Sequence, residues 1–242
     1  MNSIALTHLL AFLLVVTPAL FARGQTDWAK SVRLPKSEKP IRLFNGRDLS
    51  GWEGQTGKYW SVDGNVIRGA NQGEVPASTY LFTKKNYRNF RLLLEVKQTR
   101  GEKFSTMHSA VAVLGGKFED KGDPFGFKGP LLMFCNDWGI WDAHRRNRVF
   151  PAGHNGTLQH PSEKVGDWNR VEVLVIGDRI RMVNNGQLVV DFTDQPGMLK
   201  ASPIALQLHG NSKPQEYRFR GLLMVEKPED RLSTLRPTLP TN

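Results

Sequence analysis

The sequence predicts an all-β domain, a sandwich of two antiparallel sheets, and three observations carry that expectation. Short runs alternate apolar and polar residues with period two from Pro40 to Lys227. Gly, Asn and Asp punctuate those runs at regular spacing, as turns between antiparallel strands require. No segment sustains the i, i+3, i+4 apolar pattern of an amphipathic helix over three turns. At 242 residues the chain is long enough for one such domain, because sandwiches of this size are often undivided.

Trp60-Ser61-Val62 and Val66-Ile67-Arg68 flank Asp63-Gly64-Asn65 and read as a hairpin. Phe90 to Gln98 is a strand with Phe90, Leu92, Leu94 and Val96 on one face and Arg91, Leu93, Glu95 and Lys97 on the other. Ser109 to Leu114, Leu131 to Asn136 and Gly139 to Arg145 are three further strands. The Gly-, Lys- and Asp-rich stretch Gly115 to Gly129 is expected as a flexible loop rimming a groove. Trp168 to Ile176, Arg179 to Asn184 and Gln187 to Phe192 form a meander that turns at Gly177-Asp178 and Asn185-Gly186. Ile204 to His209 and Tyr217 to Glu226 complete the domain, placed at residues 40–227.

The ends differ from this pattern. Ile4 to Phe21 is apolar except for Thr7, His8, Thr17 and Pro18, and Ala22 and Gly24 are the small residues a signal peptidase reads. Residues 1–24 are therefore expected as a cleaved signal peptide, with export to the periplasm or beyond and no integral membrane segment left afterwards. Residues 25–39 read as a polar linker and 228–242 as a disordered tail. Neither has periodic apolar residues to bury, so Gln25 to Ser37 and Arg231 to Asn242 are expected to add almost no stability.

The chain carries 33 Lys and Arg against 23 Asp and Glu, a net charge of +10. The basic residues are scattered, with no long run of the kind that tracks a nucleic-acid backbone, so no nucleic-acid partner is expected. A basic surface facing polyanionic envelopes is the simpler reading. Cys135 is the single cysteine, which excludes an internal disulfide. Following Leu131-Leu132-Met133-Phe134, it reads as a small buried hydrophobe rather than a nucleophile. Zinc spacing, a dinucleotide glycine loop, a phosphate loop and a serine-nucleophile elbow are all missing.

Alternation also assigns faces to the candidate site residues. With Ile204, Leu206 and Leu208 turned to the core, Gln207 and His209 point away together. Ile140, Asp142 and His144 share one face of their strand, and Trp141 and Arg145 share the other. Glu95, Asp142, His144, Gln207 and His209 are expected to line one concave surface, with Trp138 or Trp141 at its edge. Aromatic faces beside carboxylates and amides are what a pyranose ring needs, since its CH face packs on the ring and its hydroxyls take hydrogen bonds. Each residue also has a plain structural reading. Glu95 fits a wet strand face, His209 fits a turn, and the charges of Trp141 to Arg148 fit a guarded sheet edge. His108 and His154 read as loop histidines.

Leu43-Phe44-Asn45-Gly46-Arg47-Asp48-Leu49-Ser50-Gly51-Trp52, Trp168-Asn169, Asn184-Asn185-Gly186 and Leu206-Gln207-Leu208-His209-Gly210 together resemble the 3-keto-disaccharide hydrolase family over Pro40 to Lys227. His108-Ser109-Ala110 stands where that family has Asn-Ser-Gly, and Phe219-Arg220-Gly221-Leu222 where it has Phe-Arg-Asn-Ile. The resemblance implies a concanavalin-like jelly roll, a carbohydrate substrate with a ketone at C3, and loss of the glycosidic bond by elimination or hydrolysis. A lectin-like module that binds without turnover is the alternative. A C3 ketone acidifies the hydrogen on C2, so the chemistry needs a base, an electrophile at the ketone oxygen and an acid at the leaving oxygen. His209 or His144 is the expected base, and Arg145 or a bound divalent metal the electrophile. Glu95 or Asp142 is the acid or a metal ligand, with Gln207, Trp138, Trp141 and Arg145 holding the sugar. The resemblance implies no other cofactor, and a divalent metal is an option rather than a requirement.

Overall fold

A computed structural model describes residues 28–101, 108–134, 139–142, 147–149 and 162–236. One short helix, α1 (Trp28–Ser31), precedes the strands. The first strands are β1 (Ile41–Arg42), β2 (Trp52–Glu53), β3 (Trp60–Asp63), β4 (Val66–Asn71), β5 (Thr79–Tyr87) and β6 (Phe90–Arg100). The middle strands are β7 (Ala110–Ala112), β8 (Gly116–Asp120), β9 (Asp123–Lys128), β10 (Leu131–Met133), β11 (Ile140–Asp142) and β12 (Asn147–Val149). The last are β13 (Asn169–Ile176), β14 (Arg179–Asn184), β15 (Gln187–Thr193), β16 (Ser202–Leu208) and β17 (Gln215–Glu226). Sheet A runs β15-β14-β13-β6-β17-β4-β3, with β1 also paired to β17, and sheet B runs β12-β11-β10-β7-β16-β5-β2. Every paired register within these sheets is antiparallel, which gives the expected jelly-roll sandwich.

The hydrophobic layer lies between the sheets and follows the alternation of the sequence. Phe90, Leu92, Leu94 and Val96 of β6 and Val171, Val173 and Val175 of β13 face Val111, Leu132, Ile140, Ile204, Leu206 and Leu208 of sheet B. Asn185 (φ 51°) and Gly186 (φ 88°) both take left-handed backbone, as a tight hairpin between β14 and β15 demands. In β17 the register shifts between Arg220 and Leu223 around Gly221, whose φ is 65°. The extra residue changes the strand's parity. Tyr217 and Phe219 face the core before it, Leu222 and Met224 after it, and Arg220 and Leu223 are left on the outer face.

The described parts of the two end segments, residues 28–39 and 228–236, pack on the outer face of sheet A, where they make contacts that a lack of apolar periodicity did not lead one to expect. Ala29 is buried against Leu93 and Leu223. Arg91, fully buried, donates to Glu38 from Nε at 2.9 Å and from Nη2 at 2.8 Å, and it also pairs with Glu172. Its Nη2 reaches the carbonyl of Arg231 at 2.8 Å. Glu172 accepts from the amides of Ser233 and Thr234 and from the Thr234 hydroxyl at 2.6 Å. One cation between two carboxylates leaves an excess negative charge, and the tail's N–H groups answer it. Apolar periodicity cannot reveal such an attachment, because it is made by charged bonds to one buried arginine and one buried glutamate. The stretch Gly115 to Gly129 is likewise a paired hairpin, β8 with β9, rather than a loose loop. No helix among the described residues is long and apolar enough to cross a membrane. Residues 1–24 and Cys135 lie outside the described residues.

Candidate active site

Sheet B presents a cleft of about 470 Å³ on its outer face. Small side chains make the room: Ala110, Ala112 and Ala205 are buried side by side beneath larger apolar neighbours. The β8–β9 hairpin folds over one flank, with Phe127 against Tyr80 (5.7 Å between ring centroids) and Phe125 against Phe82 (6.5 Å). Leu131, Met133 and Trp141 supply the apolar wall, and Asp120 sits at the hairpin rim.

The polar groups come from β16 and the strands beside it. Gln207 is opposite Tyr80 in the β16–β5 register, and its Nε2 donates to the Tyr80 hydroxyl at 3.0 Å. Gln207 is 2% exposed, and its Oε1 accepts no hydrogen bond among the described residues. Burial holds the Tyr80 phenol far above its ordinary value, so it keeps its proton. The Gly210 amide donates to Ser78 Oγ at 3.0 Å, and a Cβ at Gly210 would stand 3.0 Å from the Ser78 nitrogen. That close approach accounts for the glycine after His209.

His209 stacks on His108, ring centroids 4.5 Å apart and planes 28° from parallel. Burial, and secondly the neighbouring His108, push the His209 imidazole down to about 4, while the Gly210 backbone opposes the shift. Burial lowers His108 as well. Both rings are therefore neutral at pH 7 and hold a lone pair. The arrangement can accept a proton, can donate one hydrogen bond per ring, and can press a sugar against Trp141 and Phe127.

The structure brings Gln207, His209 and Trp141 to one cleft and corrects two of their expected companions. Glu95 stands on β6 in the opposite sheet, facing away from the core, where Arg220 grips it at 2.9 Å and 3.1 Å. It cannot share a surface with His209 across the sandwich. Asp142 turns inward with Ile140, because Ile140 fills the core and the next residue but one must follow it. Trp141, of opposite parity, is the β11 residue in the cleft. His144, Trp138, Arg145 and His154 lie outside the described residues. Among the described residues no three His, Cys, Asp or Glu side chains are grouped to hold a metal ion. Sequence reasoning missed Tyr80 and Phe127, and read His108 only as a loop histidine. Tyr80 was legible in principle, since Leu81 in the core puts Tyr80 and Phe82 outward.

A family model described as a 3-keto-alpha-glucoside-1,2-lyase-like domain matches residues 39–223. The chain is similar to solved structures of candidate glycosyl hydrolases from Parabacteroides distasonis. One is 21% identical with a TM-score of 0.51, covering 77% of this chain and 93% of that one. Another is 22% identical with a TM-score of 0.51, covering 78% and 99%. The carbohydrate-binding module CBM66 from Bacillus subtilis is 14% identical with a TM-score of 0.50, covering 76% of this chain and 99% of that chain. At these identities the likeness is one of fold. No curated protein matches the chain.

Proposed function

The chain belongs to the family of 3-keto-alpha-glucoside-1,2-lyase-like domains, and from that premise we propose that it takes a 3-keto-glycoside into the sheet B cleft and expels the C1 substituent. One observation carries the reading: the titratable groups facing the cleft, among the described residues, are two stacked neutral histidines, a protonated tyrosine and the single carboxylate Asp120. A carboxylate pair for oxocarbenium chemistry is missing from that set, whereas proton abstraction beside a ketone needs a neutral base.

In this scheme His209 takes the C2 proton. The electron pair forms the C1–C2 double bond as the C1–O bond breaks, and the leaving oxygen takes the proton back from the His209 imidazolium and departs as an alcohol, which returns the base to its neutral form. The product is an unsaturated 3-keto sugar, and addition of water across its double bond would complete a net hydrolysis. A base held near 4 by burial is weak, but the enolate forming beside it stabilises the imidazolium, so its basicity rises as the reaction proceeds. The unpaired Gln207 Oε1 accepts a sugar hydroxyl, the Tyr80 phenol serves the ring oxygens as a donor, and Trp141 takes the CH face. The apolar leader, Ile4 to Phe21, supports action outside the cytoplasm.

The test is release of aglycone from 3-keto-glucosides by the purified protein, with and without chelator. His209→Asn should keep the fold and most sugar binding, and turnover should fall by roughly 10²–10⁴-fold. Undiminished turnover in that variant would remove His209 from the base role. Saturable sugar binding with no aglycone release under any metal condition would establish the lectin-like alternative.

A further inference from the structure

A second cavity, of about 580 Å³, lies on the outer face of sheet A, across the whole sandwich from the histidine cleft. The motifs Trp168-Asn169, Asn184-Asn185-Gly186 and Phe219-Arg220 converge on it, and the proposed chemistry uses none of them. Asn185 ties the corner together, with its Nδ2 on Asn169 Oδ1 at 2.8 Å and its Oδ1 accepting from the Arg170 amide at 2.9 Å. The Arg220 guanidinium lies 3.9 Å over the Trp168 ring while it holds Glu95, so that carboxylate is neutralised within the floor.

The remaining charge is one-sided. Arg33, Lys164, Arg170 and Arg236 also line this cavity, and none has an ion pair among the described residues. Asp167, the other acid of the lining, already accepts from the Trp168 amide at 2.7 Å. Arg170 sits 5.9 Å over the Trp28 ring, and its guanidinium makes no hydrogen bond among the described residues. At that distance the ring attracts the guanidinium without close stacking and leaves its N–H edge open, which suits bidentate capture of an oxyanion. The sheet B cleft contrasts with it: no Lys or Arg is among its described lining residues. Four cations without an ion partner among the described residues thus gather in one hollow on the opposite face, too large for a lone ion.

We infer that this cavity is a second binding site, for an acidic saccharide whose carboxylate meets Arg170 and its cationic neighbours. The site holds an anionic glycan while the sheet B cleft stays free for another sugar. The inference rests on the basic, aromatic hollow and on the chain's carbohydrate-active family, and needs no turnover of a 3-keto sugar.

Calorimetric titration of the purified protein with a galacturonate trisaccharide, a neutral maltotriose and inorganic phosphate tests it, at low and at high salt. The uronate should bind, weaken at high salt, and bind about tenfold or more weakly in Arg170→Ala. Arg170 is exposed, so an unchanged melting temperature should show that this variant folds. Arg236→Ala should weaken the same ligand and leave any maltotriose affinity unchanged. Absence of uronate binding, or uronate affinity untouched by both substitutions, overturns the site. Phosphate binding as tightly as the trisaccharide overturns the saccharide assignment.

Discussion

Replacing Arg91 by Met should cost this domain more stability than any change at its surface. The guanidinium is fully buried between Glu38, 1% exposed, and Glu172, fully buried. Methionine fills a similar length of space but leaves two carboxylates facing each other with no cation. Breaking a buried pair by removing one partner typically costs about 3–5 kcal/mol. For a domain of this size each kcal/mol moves the midpoint by about 2–4 °C, so the melting temperature should fall by roughly 6–20 °C. Thermal and urea unfolding of the purified variant measure it, and the urea midpoint should fall with the slope unchanged. The triple variant Arg91→Met, Glu38→Gln, Glu172→Gln should recover much of the loss, because no buried charge is then left without its counterion. An Arg91→Met protein that melts within a degree or two of the parent would refute the clamp, and with it the claim that the termini are structural.

Removing residues 229–242 should destabilise by about 1–3 kcal/mol, since Glu172 loses its Ser233 and Thr234 donors but gains access to water; an unchanged denaturation midpoint would restore the idle-tail expectation. Gly69→Ala should cost about 1–3 kcal/mol by overpacking, because the new methyl would lie 2.5 Å from Trp60 Cζ3, and chemical denaturation reads it directly. The pH profile follows from His209. A base works deprotonated, so a group pushed down from 6.5 to about 4 stays competent as pH falls, and the acid limb of kcat/KM should lie near pH 4. An acid limb at or above pH 6.5 would show that another group accepts the proton.

The sequence by itself determined the two-sheet sandwich, most strand positions and the faces of β6 and β16. These follow from period-two alternation, a local property that each strand carries whatever its neighbours do. It also placed Gln207 and His209 together on an outer face, because Leu206 and Leu208 could only go to the core. Tertiary structure alone decided which strands share a sheet. Pairing of β16 with β5 and β7 brings Tyr80 and His108 to His209, while pairing of β6 with β17 sends Glu95 to Arg220 on the far side. The inward turn of Asp142 was likewise implicit in Ile140's burial, but the sequence could not say which of the strand's two faces the core would take. The termini show the same limit most plainly. Their attachment depends on one arginine some fifty residues from Glu38 and over eighty from Glu172, and ionic bonds between distant residues leave no periodic trace in a chain.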